Sequence, residues 1–90
     1  KIAGISTVTI NARIWSSNVD ADKETVLKVD IGGANNTVKS VTSLTPAWVT
    51  ASTIDISGLT NGTTYDITIQ LYNETNGIQA ACSQVVLSGS

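Results

Sequence analysis

The chain has 90 residues, a net charge of −2, and only 13% charged and 4% aromatic residues, so it has room for one small domain. Its five basic residues are scattered, which argues against the basic patch of a nucleic-acid-binding protein or of a membrane-surface protein. No apolar run approaches the roughly 20 residues that insert into a membrane. The absence of His removes the usual base of hydrolytic triads, and we expect neither enzymatic activity nor a cofactor.

The apolar residues are almost all Val, Ile, Leu and Ala, and Ser and Thr make up about a quarter of the chain. Val, Ile and Thr favour strands because their branched Cβ atoms restrict χ1 and pack well on a pleated surface. The chain begins at Lys1 rather than Met, which leads us to expect a processed protein or an excised module.

Runs of alternating apolar and polar residues, separated by turn signals, predict a series of short strands. The apolar positions expected to face a core are Val8, Ile10, Ala12, Ile14, Leu27, Val29, Ile31, Val38, Val41, Ile54, Ile56, Tyr65, Ile67, Ile69, Leu71, Val85 and Leu87. No segment has helical periodicity, so a parallel sheet with crossover helices is excluded. The pattern predicts an all-β fold, an antiparallel two-sheet β-sandwich of about seven strands.

Three turn signals divide these runs. Gly32-Gly33 ends a strand, and Pro46 interrupts the chain because proline cannot donate to a ladder. Asn76-Gly77 is a hairpin signal because both residues tolerate positive φ. We therefore expect the strands before and after this dipeptide to pair as a hairpin.

The segment 56–69 resembles the E–F corner of fibronectin type III domains. It contains Leu59, a glycine-containing turn, and Tyr65 six residues later, followed by alternating aliphatic residues. The following stretch, Gln70 to Ser88, is similar to the family's F strand, F–G hairpin and G strand. The resemblance implies a single fibronectin type III-like (immunoglobulin-like) domain over residues 1–90, in which the Tyr65 hydroxyl caps a backbone group upstream.

The earlier part of the chain departs from this family. Family members usually carry an inward Trp on strand B and a proline-rich segment just after it. Here Ile14 or Ala12 takes the place of that Trp, and no proline follows. Trp15 is out of phase with the alternation unless a bulge intervenes. Ile67 and Ile69 are expected to lie in the core, and replacing either with Ala should cost roughly 2–5 kcal/mol.

Trp15 and Trp48 are the candidate binding residues. An exposed Trp on a sandwich can stack on a sugar ring or anchor a protein interface. Alternatively, each Trp covers an open edge of the core in a domain that has no Phe.

The loop that precedes the second strand carries Asp20, Asp22 and Glu24 at alternate positions. Such carboxylates could converge on Ca²⁺, but the loop lacks the glycine and distal Glu of an EF-hand, and a solvated acidic loop is the simpler interpretation. We therefore predict no metal site.

Three N-glycosylation sequons begin at Asn35, Asn61 and Asn73. With so many Asn, Ser and Thr residues, nearly two sequons are expected by chance, so they are weak evidence of secretion. The single cysteine, Cys82, is interpreted as a small apolar strand residue, because no His is present to activate it.

Two functional hypotheses follow. The first is a non-catalytic structural or adhesive module of a larger extracellular or cell-surface protein, which acts as a spacer or binds a protein, a glycan or neighbouring domains. The alternative is a structural subunit of a virion or filament, such as a phage tail, fibre or capsid-decoration domain. A subunit of this kind should self-assemble through an apolar patch or an edge strand.

Overall fold

The computed structural model describes residues 1–18, 20, 22–40 and 44–90. Seven strands follow one another in this part of the chain: β1 (Thr7–Ser16), β2 (Thr25–Ile31), β3 (Ala34–Lys39), β4 (Ala47–Trp48), β5 (Ser52–Asp55), β6 (Ile67–Asn73) and β7 (Ala80–Gly89). All strand pairs are antiparallel. The predicted all-β, two-sheet sandwich is therefore confirmed.

The first sheet is built around β1, which pairs with β7 along one edge. Along its other edge, β1 pairs first with β5 and then with β4. The second sheet has the order β3-β2-β6. Strand β2 is long and almost entirely aliphatic on its inner face, so it can pair along its full length with both neighbours.

The core lies between β1 and β2. The alternation of β1 places Ile10, Ala12 and Ile14 at zero exposure, and Leu27 and Val29 of β2 are equally buried. Val38, Ile54 and Ile56 complete the core from β3 and from β5 and the residue that follows it. These predicted core positions are confirmed, whereas Val41 lies outside the described residues.

On one side of the sandwich, hydrogen bonds join the two sheets where β3 lies over β5. The Ser52 hydroxyl donates to the Thr37 carbonyl at 2.7 Å, and the Asn36 amide donates to the Thr53 carbonyl at 2.8 Å. These contacts join β3 to β5 and satisfy backbone carbonyls at the edges of both sheets. Val38 and Ile54 beside these bonds are buried, whereas nearer β4 a hollow of about 370 Å³ remains, lined by Val38 and Val49 among others.

The other side of the sandwich, where β6 lies over β7, is open. Ile67, Ile69 and Leu71 lie on the inner face of β6, directly across from buried residues of β2, yet they are 54%, 49% and 40% exposed. The sequence correctly predicts which face of β6 these residues occupy but wrongly predicts full burial. Our expectation of a 2–5 kcal/mol cost for Ile67→Ala or Ile69→Ala is therefore too high, because a half-exposed side chain loses less on truncation.

The hairpin predicted at Asn76-Gly77 is also wrong. Gly77 has a positive φ of 86°, as expected of a turn, but the chain crosses from one sheet to the other there. Strand β7 pairs with β1 over nine positions and not with β6. The turn signal correctly located a turn at Gly77 but did not indicate which strand β7 pairs with.

Candidate binding face

The outer face of the β1 sheet presents both tryptophans. Ile10, Ala12 and Ile14 point inward, so the alternating residues Arg13 and Trp15 of the same strand point outward. Trp48 of the two-residue strand β4 lies directly across from Arg13. Residues directly opposite in an antiparallel pair share a face, and diagonal neighbours remain within reach of large side chains. Trp48, Arg13 and Trp15 thus form one surface, which we call the tryptophan face.

The two tryptophans differ in exposure. Trp48 is 52% exposed, so the expectation that it covers an edge of the core is wrong. Trp15 is part-buried on the same outer face, where it lies across from the small residue Ala81. No inward rotation of Trp15 occurs, because the irregularity in the β1–β7 pairing leaves the alternation of β1 intact.

The irregularity in the β1–β7 pairing sets the position of the Arg13 side chain. The register of β7 shifts between the partners of Arg13 and Ile14, so that Ser83 is an extra residue in β7. The Ser83 hydroxyl lies 3.3 Å from both the guanidinium and the carbonyl oxygen of Arg13. The bulge therefore holds the Arg13 head group on the β7 side, leaving the ring of Trp48 half-exposed.

The chemistry of the tryptophan face suits stacking and hydrogen bonding. An indole ring offers a large apolar surface with an electron-rich face, and a guanidinium offers several donors in one plane. A half-exposed ring on the outside of a sheet fits a sugar ring or a protein side chain better than a small molecule that needs enclosure. Arg13 was not identified from the sequence, because its proximity to Trp48 depends on the pairing of β1 with β4.

Two carboxylates of the acidic loop form ion pairs with a lysine of the same loop. The Lys23 ammonium group lies 3.1 Å from an Asp20 carboxylate oxygen and 3.3 Å from one of Asp22. The hydrogen bond to Asp20, and to a smaller extent the one to Asp22, raises the pKa of Lys23 above its ordinary value. Glu24 instead lies beside Glu74, whose carboxylate accepts the Glu24 amide at 3.3 Å. Among the described residues, no group of three or more acidic, Cys or His side chains is placed to hold a metal ion.

The sequon asparagines have different environments. Asn35 and Asn61 are exposed, whereas Asn73 is part-buried at the end of β6. The Asn73 amide nitrogen donates to the Ser16 hydroxyl at 3.1 Å and to the Lys23 carbonyl at 2.9 Å. N-glycosylation leaves one N–H on that nitrogen, so a glycan there would break at least one of the two contacts that hold the end of β6.

Leu59 and Tyr65 form the corner that leads into β6. The Thr60 amide donates to the Tyr65 hydroxyl at 2.8 Å, while Leu59 and the Tyr65 ring pack against the core. Hydrogen bonding by Thr60 lowers the pKa of Tyr65 below its ordinary value. This is the geometry of a tyrosine corner, and it fixes where β6 begins.

Cys82 lies part-buried in β7. Its thiol is 3.6 Å from the Gln84 carbonyl, to which it can donate a weak hydrogen bond. Its pairing with Ile14 places it on the inner face of the sheet. The side chain thus packs as a small apolar residue.

Comparison with protein-family models, with curated proteins and with solved structures finds no match to this chain. None of the described residues belongs to a helix long and apolar enough to cross a membrane. The argument for function therefore depends on the surfaces of the sandwich itself.

Proposed function

We propose that this chain is a non-catalytic structural or adhesive module of the fibronectin type III kind, part of a larger extracellular or cell-surface protein. The observation that carries the proposal is the tryptophan face, where Trp48 is 52% exposed and lies across from Arg13 in the neighbouring strand. Trp and Arg are enriched among the residues that carry most of the binding energy of protein interfaces. The tyrosine corner supports the family assignment. The pairing of β7 with β1 departs from the F–G hairpin that the resemblance implied.

Within this proposal, the tryptophan face binds a glycan or a protein loop. The ring of Trp48 supplies stacking area, and the Arg13 guanidinium, held toward β7 by Ser83, supplies donors farther along the same face. Trp15 supports the surface as a part-buried neighbour. Such a site needs no deep cavity, because a ring stacked on one sugar face gains most of its energy from the area it covers.

Affinity gel electrophoresis tests the glycan mode. Wild-type protein should be retarded in gels cast with a neutral polysaccharide such as mannan, dextran or hydroxyethyl cellulose. Trp48→Ala should lose the retardation, and Trp48→Phe should keep part of it. Thr53→Ala, an exposed change on β5, is the matched control. If no polysaccharide or candidate protein ligand distinguishes Trp48→Ala from wild type, the adhesive role of this face is wrong.

The alternative function, a structural subunit of a virion or filament, is favoured by a different observation. The inner face of β6 leaves Ile67, Ile69 and Leu71 between 40% and 54% exposed at an edge of the sheet. An uncovered aliphatic edge strand is a template for pairing with another chain. The two functions use different surfaces, so variants of the tryptophan face and of β6 separate them.

A further inference from the structure

Strand β6 is an edge strand without the usual protection. Within the part of the chain that the structure describes, β6 pairs with β2 alone. Its sequence, ITIQLYN, contains no charge and no proline. Natural edge strands are normally protected by lysines, prolines, bulges or a covering loop. We infer from this, and from the exposed aliphatic side chains, that β6 has a partner strand.

The backbone of β6 shows which residues are available to that partner. The Asp66 carbonyl accepts a bond from Gly32, and the Glu74 amide donates to Glu24, so the even-numbered residues of β6 direct their backbone groups toward β2. Because this direction alternates along an antiparallel strand, Ile67, Ile69 and Leu71 direct theirs toward the open edge. The same three residues carry the exposed aliphatic side chains. A strand added at this edge would satisfy the backbone and cover the side chains together.

Both ends of β6 are already fixed. Tyr65 anchors its start through the bond from Thr60, and Asn73 anchors its end through Ser16 and the Lys23 carbonyl. The strand is thus held extended before any partner arrives, which lowers the entropic cost of pairing. Beside Ile67, the open side widens into an apolar hollow of about 230 Å³ that Ile31 and Tyr65 also line.

We propose that the partner is β6 of a second copy of this chain, antiparallel across a two-fold axis at Ile69. In this register Ile69 faces its own copy, and Ile67 faces Leu71 of the second copy. All three aliphatic pairs then lie on the inner face, and about six backbone hydrogen bonds form. The two sheets join into one continuous sheet of the order β3-β2-β6-β6-β2-β3.

Charge supports this register over a neighbouring one. Shifting the axis from Ile69 to Gln70 would place Asp66 opposite Glu74 of the second copy, and like charges directly opposite are destabilising. With the axis at Ile69, Asp66 faces Tyr72 and Glu74 faces Thr64. Glu74 is, moreover, already paired with Lys39 of its own chain at 3.1 Å. The Ile69 register therefore pairs every aliphatic residue without opposing two carboxylates.

The same axis brings the two copies of β7 toward each other on the opposite layer. Val85 and Leu87 of β7 lie part-buried on the inner face of the open side. Closure across the axis would shield them together with Ile67, Ile69 and Leu71. The interface is isologous, so pairing through β6 alone closes at two copies, and a filament would need a second contact elsewhere on the chain.

Sedimentation velocity over a wide concentration range tests the association. Wild type should show a reversible monomer–dimer equilibrium, and Ile69→Lys should weaken it by about tenfold or more, because two ammonium groups would meet at the axis. Leu44→Lys is the control, since Leu44 is 55% exposed in the segment before β4 and lies away from β6. Far-UV circular dichroism checks that the variants fold. A wild type that stays monomeric throughout, or forms a dimer insensitive to Ile69→Lys, overturns the proposal.

Disulfide trapping tests the register with minimal perturbation. In a Cys82→Ser background, Ile69→Cys should cross-link to its copy on oxidation, because Cα atoms of a hydrogen-bonded antiparallel pair lie about 5.5 Å apart, within disulfide range. Thr68→Cys should not, because its copy is displaced along the strand and faces Gln70. Cross-linking at Leu71→Cys in preference to Ile69→Cys, or equally at Thr68→Cys, contradicts the Ile69 axis.

Discussion

The facing strands β2 and β6 contain similar side chains that have very different environments. Leu27, Val29 and Ile31 of β2 are at most 7% exposed, whereas their cross-strand partners Leu71, Ile69 and Ile67 are 40% to 54% exposed. The two sets share one face of one sheet and differ only in position within it. Strand β2 has a neighbour on each edge and β1 beneath it, whereas β6 has one neighbour and an open side. Burial in a small sandwich therefore depends on the place of a strand in its layer as much as on its residues.

The largest expected effect comes from truncating leucine to alanine at two positions that face each other across β2 and β6. Leu27→Ala should cost about 2–5 kcal/mol of unfolding free energy, because Leu27 is 1% exposed and its removal leaves a cavity. Leu71→Ala, directly across from it and 40% exposed, should cost only about 1 kcal/mol. Urea unfolding at protein concentrations too low for self-association gives both values. Equal costs would mean that the open side is covered in the monomer.

The next test concerns the contact that holds the start of β6. A Cβ atom on Gly32 would lie 2.5 Å from the Tyr65 ring, and Gly32 has a φ of +59°. Gly32→Ala should therefore destabilise the domain by about 2–5 kcal/mol, the sum of backbone strain and overpacking. Gly33→Ala is the matched control, since it has positive φ and open space around it, and it should cost about 1–2 kcal/mol. Thermal unfolding of the two variants side by side measures the difference.

The smallest expected effect is that of the Tyr65 hydroxyl. Tyr65→Phe removes the acceptor of the Thr60 amide but keeps the ring in place over Gly32. Because Thr60 is exposed and its amide can bond water instead, the cost should be about 1 kcal/mol. It should fall mainly on β6, which hydrogen exchange of the β6 amides would show. A variant indistinguishable from wild type in both stability and exchange contradicts the anchoring role of this bond.

Several elements were predictable because their signals are local. The alternation in β1 and β2 has the same period as the pleat, so it identified the inward residues Ile10, Ala12, Leu27 and Val29. The two-residue strand β4 was not predicted, because two residues carry no periodic signal. The candidate site was only half predictable. Trp48 is conspicuous in a sequence with so few aromatic residues. The proximity of Arg13 to Trp48, however, results from the pairing of β1 with β4.

The sequence by itself determined that this chain folds into strands, which residues of the longer strands β1, β2 and β6 face inward, and where several turns lie. These properties follow from side-chain branching, from the two-residue period of a strand and from the φ preferences of Gly, Asn and Pro. Only the tertiary structure decided that β7 pairs with β1 and that β6 is left at an edge with its aliphatic side chains half-exposed. The physical reason is that competing strand pairings share the same local pattern. The choice among them depends on how much apolar surface the whole sandwich buries.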